Sequence, residues 1–221
     1  MAFYSLLAIG IVSVIFAYLV GSINFAVIFS KAFLKKDVRN IGSGNAGTTN
    51  VMRSAGFLPG ALTFLCDALK GFVASFVGFR VFEFFFTSTG AEMMQPIYGA
   101  YACGLACMLG HVFPVFFGFK GGKGVATSVG IFAVCSPIGI ALGLLVFAIV
   151  TLTTKYVSLA SIISTVVVVM GAAIFRISDA GIFPQLSLSV LMGIIVIVKH
   201  KDNIIRLING NENKVGGKKN G

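Results

Sequence analysis

An all-α protein that crosses a membrane several times is the fold class this sequence predicts, and three observations carry the prediction. Mean hydropathy is +0.98 over 221 residues, 57% of which are apolar, with 22 phenylalanines among them. Apolar runs of about 18 residues or more, the length a membrane span needs, recur along the chain. Basic residues gather in a few polar stretches between those runs. The short alternating segments of a transmembrane β-barrel do not occur. Spans use up nearly all of the chain, so residues 1–215 read as a single membrane-embedded domain. Residues 216–221, rich in glycine and lysine, read as a disordered and dispensable tail.

The elements follow in order. Residues 3–29 form the first apolar run; with no basic leader and no small-residue cleavage site, it does not read as a removable signal peptide. A first basic cluster follows, made of Lys31, Lys35, Lys36, Arg39 and Arg53. Runs at 57–86 and 97–117 make one hairpin with 87–95 as its turn, and Lys120 and Lys123 form a second cluster. The third cluster begins at Lys199, so an even number of crossings must separate it from the second. The obvious runs, 125–152, 157–175 and 185–198, are odd in number. Ser136-Pro137 resolves this, because proline disrupts a helix interior and disfavours helix in the residue before it. Splitting there predicts helices at 124–136 and 138–153, a loop at 154–158 carrying Lys155, and an opposite loop at 176–184. About seven transmembrane or partly spanning helices result, the 124–136 helix being only about 20 Å long. The positive-inside rule then puts the N-terminus outside and the basic loops and C-terminus in the cytoplasm. Beyond Lys199, Ile204, Ile205, Leu207 and Ile208 oppose Lys201, Asp202 and Arg206, as in a helix lying along the membrane.

The net charge of +10 flanks spans, so it reports orientation first and anionic partners second, with membrane lipid a partner and nucleic acid not. Cys66, Cys103, Cys107 and Cys135 all sit within apolar runs and read as packing residues. No cluster of ligating side chains predicts a metal, and no motif predicts a cofactor.

Two polar loops depart from this background. In FKGGKGVATS (119–128), Lys120, Gly121, Gly122, Lys123 and Gly124 precede a helix that carries Thr127. A helix start offers free N–H groups, and glycines let a ligand reach the backbone, so a phosphate-type anion is the natural guest. The spacing is not that of a Walker A loop. In IGSGNAGTTNVMRSAG (41–56), Ser43, Gly44, Asn45, Thr49 and Asn50 supply small hydrogen-bonding groups, and Arg53 a planar charged fork. Two such loops on one face suit one polyanionic ligand or two phosphate-bearing ones. Asp67 and Lys70, spaced i, i+3 within an apolar run, can pair with each other or line a polar cavity. His200 and Asn203, also i, i+3, can face a substrate together. Lipase-type serine elbows, paired carboxylates and an H-x-x-x-x-D acyltransferase motif are all missing, which leaves positioning and charge stabilisation as the means of any catalysis.

GSIN (21–24), IGSGNAGTTNVMRSAG, DALKG, GHVFPVFFGFKGGKGVAT, TKYVSLAS and KHKDNIIRLINGNENK stand in the order found in the PlsY family, which the chain resembles over nearly its whole length. Members of that family are bacterial integral-membrane glycerol-3-phosphate acyltransferases. The resemblance implies transfer of an acyl chain from acyl-phosphate to the sn-1 hydroxyl of glycerol 3-phosphate, giving lysophosphatidate and phosphate. It implies catalytic roles for Ser43, Arg53, His200 and Asn203, acceptor binding by the glycine loop, and a structural role for Glu212. Asp67 is expected to be structural as well, and Lys70 to bind substrate. It further implies seven helices with the motifs on the cytoplasmic face of the bacterial inner membrane; functional coupling to the enzyme that makes acyl-phosphate is an expectation that the sequence itself does not display. His200 and the acceptor's own phosphate are both candidates for the base. A transporter of phosphorylated solutes and a lipid-binding scaffold are the competing readings.

Overall fold

Glycine, proline and asparagine punctuate the apolar sequence, and Gly21, Gly56, Gly90 and Asn209 mark helix ends. The computed structural model describes residues 2–90, 95–174 and 182–215. Within them the chain forms α1 (Ala2–Gly21), α2 (Phe25–Leu34), α3 (Thr48–Ala55), α4 (Phe57–Thr89), α5 (Pro96–Val112), α6 (Val125–Cys135), α7 (Pro137–Thr154), α8 (Val157–Ile174), α9 (Ile182–Lys199) and α10 (Lys201–Ile208). Five stretches are long and apolar enough to cross a membrane: Ala8–Leu34, Phe57–Thr89, Pro96–Phe117, Pro137–Thr154 and Val157–Ile174. α9 and α10, bent by 56° at their junction, make a sixth if taken as one broken span. α6 has 11 residues, about 16 Å of helix against an apolar bilayer core of about 30 Å, so it is a partial span. The chain is thus the all-helical, multi-pass membrane protein that its sequence predicts.

Two local expectations are corrected. The run expected as one helix over 3–29 is interrupted. Asn24 Oδ1 accepts a hydrogen bond from the Val27 amide at 3.2 Å and so starts α2 afresh, while Gly21 lies against the Cys107 backbone of α5. The interruption frees the Ile23 carbonyl, which Lys70 then takes. The loop expected over 41–56 ends in a helix of its own, α3, which Gly47 starts and Gly56 separates from α4 with a φ of 97°. Elsewhere the break at Ser136-Pro137 falls where expected, with Pro137 opening α7. The predicted turn and loop at 87–95 and 176–184 lie partly, and the tail after Val215 wholly, outside the described residues.

α4 is the hub, packing on α1, α2, α3, α5 and α6, while α7, α8 and α9 pack in sequence on the other side. Gly78 of α4 and Gly99 of α5 meet so closely that a Cβ on either would strike the other's carbonyl oxygen. Small residues at such crossings matter because lipid provides no hydrophobic drive between helices, leaving close backbone packing to hold them together. Tyr101, Met108, Ile131 and Met192 fill the centre, fully buried.

Candidate active site

The first polar loop is organised by one side chain. Asn50, 2% exposed, donates through Nδ2 to the carbonyls of Val38, Ile41 and Asn45 at 3.0, 2.9 and 3.0 Å. Its Oδ1 accepts from the Ser43 amide at 3.1 Å. Gly42 and Gly44, with φ of 61° and 70°, flank Ser43 in the left-handed region that favours glycine. The result is a tight turn presenting an exposed Ser43 hydroxyl, with Asn45 and Thr49 half-buried behind it.

The second loop folds back over the end of α5. The Gly122 amide donates to the His111 carbonyl at 3.1 Å. No Cβ fits on Gly122, since it would meet His111 Nε2 on one side and the Ala46 carbonyl of the first loop on the other. Gly121 rests equally closely on the His111 carbonyl. Gly124, φ 87°, turns the chain into α6, whose N-terminus has no side-chain cap. Arg39 bolts the two loops together. It grips Asp37 through Nε at 3.0 Å and Nη2 at 2.8 Å, and donates through Nη1 to the Phe117 carbonyl at 2.7 Å.

The third contribution comes from the break between α9 and α10. Lys123 Nζ donates to Asn203 Oδ1. Asn203 Nδ2 donates to Glu212 Oε1 at 2.8 Å, and Arg206 Nε to Glu212 Oε2 at 2.8 Å. Arg53 Nη2 donates to the Asn213 carbonyl at 3.1 Å, so the segment after α10 crosses to α3. The Val215 amide donates to the Lys155 carbonyl at 2.9 Å, tying that segment to the turn between α7 and α8. Burial pushes the Lys123 ammonium down to about 8, and Arg206 and Arg53 push the same way, against Glu212 and Asp202. His200, 2% exposed, directs Nδ1 to the Val196 carbonyl at 2.8 Å; burial first, then Lys123, lowers it to about 4.

Ser43, Arg53, Lys120, Gly121, Gly122, Lys123, Gly124, His200 and Asn203 therefore come together at one end of the bundle, with Glu212 bracing Asn203 and Arg206. Three residues expected to bind substrate are placed otherwise. Asn50 spends its amide on loop carbonyls. Thr127 is fully buried at the contact of α6 with α4. Lys70, 4% exposed, pairs with Asp67 at 2.8 Å and donates to the Ile23 carbonyl at 2.7 Å, facing the helix break and not the loops. A buried charge in an apolar surround needs such partners. Reading the sequence missed Arg39 and Arg206, which it treated as topology and amphipathicity, and His111, to which it gave no role. Only the Asp37-x-Arg39 spacing offered a signal, and a weak one. Among the described residues no group of three or more His, Cys, Asp or Glu side chains is arranged to hold a metal.

Beside this polar end runs an apolar groove among α4 and α6–α9. Val125 and Val196 stand at its upper end, Phe132 and Ile140 near the α6–α7 corner, and Gly193 and Met192 along one wall. Val196 also carries the carbonyl that holds His200. A cationic, glycine-rich loop cluster beside an apolar groove suits a ligand with an anionic head and a hydrocarbon tail.

Fold and site together define a polytopic membrane protein with a basic, glycine-rich loop cluster beside an apolar groove. The family model described as glycerol-3-phosphate acyltransferase matches residues 11–210, and the chain belongs to that family. It is 41% identical over 205 residues to "Glycerol-3-phosphate acyltransferase 2" of Bacillus anthracis, covering 93% of this chain and 98% of the relative. The crystal structure of PlsY (YgiH), an integral membrane glycerol 3-phosphate acyltransferase, in its glycerol 3-phosphate form superposes with a TM-score of 0.80. Identity there is 39%, with 94% of this chain and 96% of that one covered. Its lysophosphatidic acid form gives 0.77 at 38% identity, covering 94% and 95%. Family membership displaces the transporter and scaffold alternatives.

Proposed function

We propose that this chain transfers an acyl group from acyl-phosphate to the sn-1 hydroxyl of glycerol 3-phosphate, releasing lysophosphatidate and inorganic phosphate. The observation that carries this reading is the meeting of two glycine-rich loops and the Lys123–Asn203–Glu212–Arg206 chain next to Val125 and Val196 of the apolar groove. The acceptor's phosphate binds the amides of Gly121–Gly124 with Lys123 and Lys120. The donor's phosphate binds Ser43, Arg53 and the start of α3, with Gly44, Asn45 and Thr49 shaping that pocket. The acyl chain lies in the groove.

The acceptor oxygen attacks the acyl carbonyl carbon, its C–O bond forms, and the bond from carbon to the phosphate oxygen breaks. An acyl-phosphate is a mixed anhydride, so phosphate leaves readily and no covalent enzyme intermediate is needed. Ser43 Oγ–H and the Arg53 guanidinium stabilise the oxyanion and the departing phosphate. The hydroxyl proton passes to the acceptor's own phosphate, because burial and the Lys123 ammonium make His200 a poor base. His200 and Asn203 instead hold Lys123 and the acceptor in place.

The distribution of lysine and arginine around the spans supports an inner-membrane enzyme with N-terminus outside and active site facing the cytoplasm. The donor is amphiphilic and reaches the groove from the membrane, which suits functional coupling to the enzyme that produces it.

The test supplies purified protein with glycerol 3-phosphate and either palmitoyl-phosphate or palmitoyl-CoA. Phosphate release and lysophosphatidate formation are expected with palmitoyl-phosphate and acceptor together. Equal or better turnover of palmitoyl-CoA would overturn the donor assignment.

A further inference from the structure

His111 belongs to neither of the loops, yet one of its faces forms the bed of the second. We infer that His111 is a positioning residue for the acceptor-binding glycine loop, standing on a buried polar column that reaches back to the break between α1 and α2. The inference rests on the reading that Gly121–Gly124 bind the acceptor's phosphate.

The column can be followed atom by atom. At its base the Ile23 carbonyl, freed where α1 stops, accepts from Lys70 Nζ at 2.7 Å. Lys70 Nζ pairs with Asp67 Oδ1 at 2.8 Å, and His111 Nδ1 lies 3.4 Å from the same oxygen. Asp67, Lys70 and His111 are 1%, 4% and 5% exposed. The other end of the imidazole, Nε2, is directed at Gly122, whose amide is already held by the His111 carbonyl at 3.1 Å. The ring and the Ala46 carbonyl together fill the space a side chain on Gly122 would need, so the loop rests closely on the ring, and the next residue, Lys123, reaches Asn203.

A lone histidine packed in a helix end would satisfy itself on its own helix. This one touches a carboxylate on α4 with one nitrogen and a ligand-facing glycine with the other. Charged groups are costly within a membrane helix, and a binding loop grips its ligand only while its amides are held in place. Locating Gly122 gives the column a reason to exist. Removing the ring lets the loop settle toward α5 and takes the Gly122 and Lys123 amides out of register with the phosphate.

Steady-state kinetics of His111→Ala, His111→Gln and His111→Asn in the full-length protein test this. His111→Ala is expected to raise the acceptor KM about tenfold, with kcat at saturating acceptor and the donor KM within about twofold of wild type. His111→Gln, whose amide reaches the place of Nε2, restores most of the loss; His111→Asn, which reaches only the place of Nδ1, does not. An acceptor KM unchanged in His111→Ala, or a uniform loss in which Gln rescues no better than Asn, overturns the assignment.

A double-mutant cycle with Gly122→Ala guards against variants that fold poorly. The added methyl runs into the ring, so Gly122→Ala should raise the acceptor KM less in the His111→Ala background than in wild type. Additive effects overturn the inference. Gly122→Ala leaving the acceptor KM unchanged would instead overturn the underlying placement of the acceptor.

Discussion

Raising the pH through about 8 should weaken acceptor binding, because it removes the charge on Lys123. The ammonium is half-buried beside Asn203, and burial lowers its pKa to about 8, with Arg206 and Arg53 assisting and Glu212 and Asp202 opposing. His200, held down by burial and by the Lys123 charge, is neutral across the range and does not compensate. The phosphate of the acceptor, with a second pKa of about 6, is a dianion throughout. The sign follows: binding is at full strength below the lysine pKa and is lost above it. If the dianion requires the ammonium, the acceptor KM scales as one plus the ratio of neutral to charged lysine. Between pH 7 and pH 9 that is a rise of about tenfold. The assay is acceptor KM at a series of pH values with donor saturating, alongside Lys123→Arg. Arginine stays charged over the whole range, so its KM is expected to be higher at pH 7 but flat to pH 9. A flat profile in wild type, or the same rise in Lys123→Arg, would refute the role given to Lys123.

Three further outcomes are expected. Ser43→Ala should lower kcat by about a hundredfold or more with little change in Tm, since its exposed hydroxyl bonds no other described residue; a fall in Tm matching the activity loss would mark it as structural. Asn50→Ala strips the first loop of four hydrogen bonds, costing about 2–4 kcal/mol in chemical denaturation and raising both KM values; an unchanged donor KM would show that the loop holds its shape without it. Gly193→Leu projects into the groove toward Val169 and Thr165, where even a Cβ would lie 3.0 and 3.7 Å from their Cγ2 atoms. The ratio of C16 to C10 donor kcat/KM should then fall about tenfold, and an unaltered ratio would place the acyl chain elsewhere.

Helix type was legible because it depends on local chemistry; helix number was not, since Asn24 and Gly47 start two helices that the apolar runs do not show. Twenty apolar residues in lipid satisfy their backbone only as a helix, and Gly124 and Pro137 stand where α6 and α7 begin. The candidate residues were legible for a similar reason, since small polar side chains, glycines and Arg53 have little cause to cluster in so apolar a chain unless they bind something. What each residue does within its cluster was not legible. Asn50 and Ser43 read alike in the string, yet one points inward onto three carbonyls and the other outward, a choice made by the left-handed turns at Gly42 and Gly44. Lys70 and Lys123 are both lysines near glycines, but the first faces the Ile23 carbonyl and the second faces Asn203, 80 positions later. Arg39 and His111 looked incidental because Phe117 and Asp67, on which they act, lie far away in the chain. Sequence by itself determined the solvent, the helices and the chemistry available. Tertiary structure alone decided which of those groups face the ligand and which hold the others in place, because that depends on contacts that no local pattern encodes.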